Sequence, residues 1–214
     1  MPDSLPTAPS EAGRDHDPDA LVVARTRAWL RRAVVGLELC PFARAVDAKE
    51  LVRYVVSPAE DAETLLATLC VELQRLADTD PAQVDTTLLV HPRVLQDFED
   101  FNDFLELADA AVEDLGLEGV LQVASFHPRF QFADTDPDDV TNATNRAPYP
   151  TLHLLREESV DRAVAAFPEA EAIFERNMER LEQLGPDGWA AVQAAWEADA
   201  QAEAAPPPAT PGAG

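Results

Sequence analysis

The chain has few of the residues from which several common sites are built. Two cysteines occur in 214 residues, with no Cys-x-x-Cys pair, which excludes a disulfide scaffold and a structural zinc ribbon. Eight glycines are scattered without a cluster, so the Gly-rich phosphate loop, the dinucleotide fingerprint and the Gly-x-Ser-x-Gly elbow are all missing. Lysine occurs once, at Lys49, with nothing nearby to build the buried site that Schiff-base chemistry needs. No apolar run approaches a membrane span, and no basic-then-apolar leader opens the sequence. A cytoplasmic protein without a membrane partner is expected.

Basic residues are also scarce. Sixteen Lys and Arg stand against 40 Asp and Glu, for a formal charge of −24. So acidic a surface suits neither nucleic acid nor anionic lipid, because phosphate contact needs clustered cations. One stretch departs from this. Between Arg25 and Arg53, seven bases (Arg25, Arg27, Arg31, Arg32, Arg44, Lys49, Arg53) face three acids. It is either a solvated face paired with acids elsewhere or a collar for a small anionic ligand.

What is present is enough apolar material, 46% of residues, for one domain with a sizeable core. Residues 1–20 are acidic and Pro-rich and are expected to be a disordered tail; 201–214 are expected to be a disordered Ala/Pro/Gly tail. The span 21–186 reads as a single α/β domain, and 187–200 as a helical extension carrying Trp189 and Trp196.

Periodicity predicts a helix over 21–39, a strand over 51–56, a helix over 61–77 with Leu65, Leu69, Val71, Leu73 and Leu76 inward, and a strand over 86–90. A helix over 97–115 with a Phe-rich stripe and a strand over 119–126 follow. A fourth strand spans 151–156, and helices span 159–167 and 168–184, the last stopped by Gly185-Pro186. Strands alternating with helices imply right-handed parallel crossovers, hence a mixed, mostly parallel sheet of about four strands flanked by helices. The first three strands each end in an X-Pro step (Ser57-Pro58, His91-Pro92, His127-Pro128), at the carboxyl edge where open sheets of this kind bind ligands.

Between the third and fourth strands lies a connection rich in His, Arg, Asn, Asp and aromatic residues. Connections of that length inside a compact domain are usually functional or disordered, and Phe130, Phe132 and Tyr149 argue for order. Two chemistries compete there. His91, His127 and His153 could ligate a divalent metal, although no short-range His pair supports it; the plainer role is hydrogen bonding at strand ends. Without metal, His127 could act as general acid/base, with Arg129, Arg146 or Arg156 clamping an anionic substrate and Asn145 and Tyr149 orienting it. Cys40, after an Arg-bearing helix, is a candidate nucleophile, set against a role as a buried apolar residue. Asp134 to Asp139 begins like a calcium loop but has Asp139 where Gly and Asn145 where Glu is required, so an Asp-rich turn is expected.

The segments Leu39-Cys40-Pro41-Phe42-Ala43, Asp97 to Leu105, Ser125-Phe126-His127-Pro128 with Gln131-Phe132-Ala133, and Thr144 to Glu157 together resemble the bacterial family called domain of unknown function 1415. The resemblance covers about Thr26 to Gly185. Asp134 stands where the family pattern has Gly, and Ala147 where it has Ser. The resemblance implies no activity and no cofactor. The leading expectation is a small soluble enzyme acting on a small anionic metabolite, metal-assisted or not. The alternative is a non-catalytic ligand-binding or protein-interaction module, with Trp189 and Trp196 on an interaction helix.

Overall fold

The computed structural model describes residues 18–166 and 172–205. Of the disordered tails expected at 1–20 and 201–214, residues 1–17 and 206–214 lie outside the described residues, as does the junction expected between helices at Phe167 and Pro168, whereas 18–20 open α1 and 201–204 end α6. Helix α1 (Pro18–Trp29) continues into a π-helical stretch (Leu30–Val35) and is followed by the short α2 (Ala43–Ala48). Then come β1 (Val52–Val56), α3 (Ala62–Asp78), β2 (Thr86–Val90), α4 (Phe98–Asp114) and β3 (Leu121–Phe126). A 3-10 helix (Val140–Asn145) in the long connection precedes β4 (Thr151–Arg156), α5 (Glu157–Ala166) and α6 (Ile173–Ala204).

The sheet order is β1-β2-β4-β3. Strand β1 pairs parallel with β2, whereas β4 lies antiparallel to both β2 and β3. The mostly parallel sheet expected from the alternation is therefore corrected to a mixed sheet with one parallel pair. The physical reason is insertion: β1, β2 and β3 do point the same way, but β4 enters between β2 and β3 and turns one parallel contact into two antiparallel ones. Strand β2 is buried at every position, and β4 at four of its six, as central strands covered on both faces must be.

A separate core fills each face. Leu89, Leu121, Leu152 and Leu154 meet the stripes of α3 and α4 on one side. Leu88, Phe126 and Tyr54 meet α1, the 3-10 helix and α6 on the other. Asp61 caps α3 by accepting from the Thr64 amide (2.8 Å), and Asp97 caps α4 by accepting from Glu99 (3.0 Å), as short acidic side chains at helix N-termini do. The α3 stripe differs from the reading at one residue. Val71 is 57% exposed, because it falls about 200° around the helix from Leu69. Glu72 takes the stripe position, buried beneath a bidentate pair with Arg53 of β1 (3.0 and 3.2 Å) and an ion pair with Arg75 (3.3 Å).

Gly185 (φ 68, ψ 172) breaks α6 into two segments in a backbone region that side chains avoid, and Pro186 opens the second segment, where its missing N–H costs nothing. That segment runs to Ala204, beyond the expected limit of 200. Trp189 and Trp196 meet edge to face (ring centroids 5.4 Å apart) in the second core, so neither ring lies on the surface an interaction helix would present.

Phe101 is fully buried on α4, where both His91 and His127 stack on it, so truncation should cost about 3–5 kcal/mol. Val71→Ala, on the exposed side of α3, should stay within about 0.5 kcal/mol. Urea unfolding of Phe101→Ala and Val71→Ala measures both; equal losses would contradict this assignment of the α3–α4 core.

Candidate anion-binding hollow

At the carboxyl edge the long connection is fastened by backbone bonds. The His91 amide donates to the Pro150 carbonyl (3.0 Å) and the His127 amide to the Asn145 carbonyl (3.1 Å). Asn145 answers with its side chain, whose Nδ2 donates to the Ser125 carbonyl (3.2 Å). This residue ties the 3-10 helix to the end of β3.

The imidazoles are taken up in the same way. His127 Nδ1 accepts from the Arg129 amide (3.0 Å), so the proton resides on Nε2, which donates to the Leu95 carbonyl (3.2 Å). His91 Nδ1 donates to the Val94 carbonyl (3.1 Å) and its Nε2 is buried with no partner among the described residues. Burial pushes the His91 ring down to about 4 and lowers His127 as well, so both are neutral at pH 7.

His153 lies on the other face of the sheet. Leu152 and Leu154 point into the α3–α4 core, and His153 between them points against Phe126. Its Nε2 donates to Thr86 Oγ1 (2.7 Å), whose hydroxyl donates to the Leu154 carbonyl (2.6 Å), and burial pushes the ring down to about 4. The three-imidazole metal set is thus divided by the sheet. Among the described residues no group of three or more His, Cys, Asp or Glu could hold a metal ion.

Other candidates also serve the backbone. Arg129 Nη2 donates to the Gln96 carbonyl (2.7 Å) and pairs with Asp97 (3.0 Å) at the start of α4. Arg156 Nη2 donates to the carbonyls of Leu76 (2.7 Å), Thr79 (2.6 Å) and Val84 (3.1 Å), satisfying acceptors left over at the end of α3. Burial pushes the Cys40 thiol up, against the amides of Phe42 and Ala43, which is the reverse of what an activated nucleophile needs.

Arg146 and Tyr149 do share a site, with partners on α1 and α6. They line a hollow of about 270 Å³ together with Arg25, Gln193, Trp196 and Glu197. Arg25 Nη1 donates to the Tyr149 hydroxyl (2.9 Å) and its Nε to Glu197 Oε2 (2.8 Å). Both bonds, Tyr149 first, hold the Arg25 guanidinium above its ordinary pKa. Arg146 is anchored through Nε to the Phe130 carbonyl (3.1 Å) and through Nη2 to the Pro137 carbonyl (2.6 Å), while its own carbonyl accepts from Trp29 Nε1 (2.9 Å). Neither His91 nor His127 lines this hollow. Arg25 was visible in the sequence only as one base of a positively charged stretch, and Glu197 and Gln193 carried no signal at all.

A family model described as a protein of unknown function (DUF1415) matches residues 21–191. The chain belongs to this DUF1415 family. No curated protein and no solved structure matches it. The DUF1415 span contains Arg25, Arg146 and Tyr149, whereas Gln193, Trp196 and Glu197 stand beyond its end.

The buried imidazoles set a pH dependence. His91 and His153 titrate near 4 when folded and near 6.5 when unfolded, so the unfolded chain binds more protons between those values. Their contribution is fully present above about pH 6.5 and is lost as pH falls toward 4, with a slope approaching about 1.4 kcal/mol per pH unit for each ring. Urea unfolding at pH 7.5, 6 and 4.5 reads the loss. Imidazole NMR shifts at pH 5.5 should still report neutral rings at 91 and 153; charged rings there would contradict the packing.

Proposed function

We propose that this chain binds a small anionic molecule in the hollow between Arg25, Arg146 and Tyr149, as a ligand-binding module rather than as an acid/base enzyme. The observation that carries the reading is that two arginines, one from near the start of the described chain and one from the long connection, line one recess beside a tyrosine. Guanidinium forks match carboxylate and phosphate oxygens in pairs, and a partly dry wall strengthens each bond relative to open water.

The bonds already made support this. Anchoring through Phe130 and Pro137 fixes the Arg146 plane and leaves Nη1 outside those bonds. The Tyr149 hydroxyl accepts from Arg25 and keeps its own hydrogen to donate. A recess of about 270 Å³ suits a molecule of few atoms, since drug-sized ligands occupy roughly 300–1,000 Å³. The chain's charge of −24 repels anions at long range, but salt shortens that field to about 8 Å in physiological solution, so the local cations decide.

Proton transfer finds less support. His127, the expected acid/base, has both ring nitrogens engaged with backbone groups and does not line the recess.

The reading is tested by calorimetric titration of the full chain with malonate and with inorganic phosphate. Arg25→Gln removes one charge-assisted contact, worth about 1.5–3 kcal/mol, and should weaken binding about ten- to a hundredfold. Equal affinity in wild type and Arg25→Gln would place the ligand elsewhere.

A further inference from the structure

We propose that Glu197 is a built-in competitor for this anion site, and that the ligand is a short dicarboxylate whose first carboxylate displaces it from Arg25. The inference rests on the anion-binding reading and adds its ligand class and its regulation.

Glu197 already does what a ligand carboxylate would do. Its Oε2 accepts from Arg25 Nε at 2.8 Å, on the wall of the recess, through one oxygen only. The Nε–Nη2 edge of a guanidinium takes both oxygens of a carboxylate, so an incoming ligand gains a bond that Glu197 does not make. Tyr149 accepts from Nη1 at 2.9 Å, which leaves Nη2 outside both bonds.

Exchange requires a side-chain rotation and leaves the helix in place. The Arg25 and Glu197 side chains are 31% and 37% exposed, so the displaced carboxylate swings into water. The neighbouring Trp196 and Ala200 stay buried in the second core. The same segment of α6 keeps two further ion pairs, Arg27–Glu203 with α1 and Arg32–Asp199 (2.6 Å) with the π-helical stretch that follows it, neither of which touches this recess.

Charge selects the ligand class. With Glu197 in place the recess carries two cations and one anion; with it displaced, two cations remain for one ligand. A dianion with separated charges matches them, one carboxylate on Arg25 and the other on Arg146. A monocarboxylate would exchange one carboxylate for another and gain little.

Calorimetric titration of the full chain with malonate, succinate, acetate and inorganic phosphate tests this on wild type, Glu197→Gln, Glu203→Gln and Arg25→Gln. Glu197→Gln keeps the shape and removes the competing charge, and should bind malonate or succinate about tenfold more tightly than wild type. Glu203→Gln breaks a neighbouring α1–α6 pair and should bind as wild type does, which separates competition from loosened packing. Dicarboxylate binding that Glu197→Gln leaves unchanged or weakens overturns the competitor and spares the site. Tighter binding of acetate or phosphate than of either dicarboxylate overturns the ligand class. Absence of binding by both wild type and Glu197→Gln, for every probe, overturns the anion-binding reading itself.

Discussion

The position of β4 between β2 and β3 constrains everything at the carboxyl edge. An antiparallel strand inserted there must begin where its neighbours end, since Val90 and Phe126 both pair with Thr151. The chain leaving β3 at Phe126 therefore has to return to the same edge before β4 can start. The connection from His127 to Pro150 is the path of that return, folded over the edge and not running along a face. Its last turn brings Arg146 and Tyr149 against α1, which covers the sheet face opposite α3 and α4.

A connection carried over a sheet edge leaves many backbone groups without strand partners, and buried ones must be satisfied. The polar side chains that look most like chemistry answer that demand. His127 joins the Arg129 amide to the Leu95 carbonyl, Asn145 reaches the Ser125 carbonyl, and Arg146 takes the carbonyls of Phe130 and Pro137. Arg156 does the same at the far end of β4 for α3. A His or Arg so engaged is costly to lose, because its partners would remain buried and unpaired. It is also poorly free to act on a substrate. Of the two arginines of the recess, Arg25 escapes this pattern, since its bonds go to the side chains of Glu197 and Tyr149.

Legibility in the sequence followed the range of the interaction. The first three strands were readable from apolar runs ended by X-Pro, but the direction of β4 was not, and the sheet was expected to be mostly parallel. The order of the strands was not readable either, because β2 can accept either β3 or β4 beside it and no local pattern states which. Val71 was misplaced, and Glu72 passed over, for a different reason. A run of apolar residues invites a broad inward face, yet a helix turns about 100° per residue, and the one acid that Arg53 can reach takes the inward place. The recess was the least legible part. Arg25 is separated by 124 residues from Tyr149 and by 172 from Glu197, distances over which periodicity carries no information. Arg25 and Glu197 each read alone as an ordinary surface residue, and Tyr149, though singled out, had no partner in the sequence.

The last segment of α6 shows how a docking surface and a ligand site come to share parts. Residues 187–214 hold four acids and no base, while the stretch from Arg25 to Arg53 is net basic, so the two attract at the level of whole segments. Attraction between exposed charges contributes little to stability. Trp189, Trp196 and Ala200, buried against α1, contribute the greater part through apolar area removed from water. The ion pairs add three further ties between the two segments, Arg25 to Glu197, Arg27 to Glu203 and Arg32 to Asp199. Turning α6 by one residue, about 100°, would carry Trp196 out of the core. The packing that buries the tryptophan is therefore the one that delivers a carboxylate to Arg25, and a ligand that displaces Glu197 removes one of three ion pairs while leaving the apolar anchor in place.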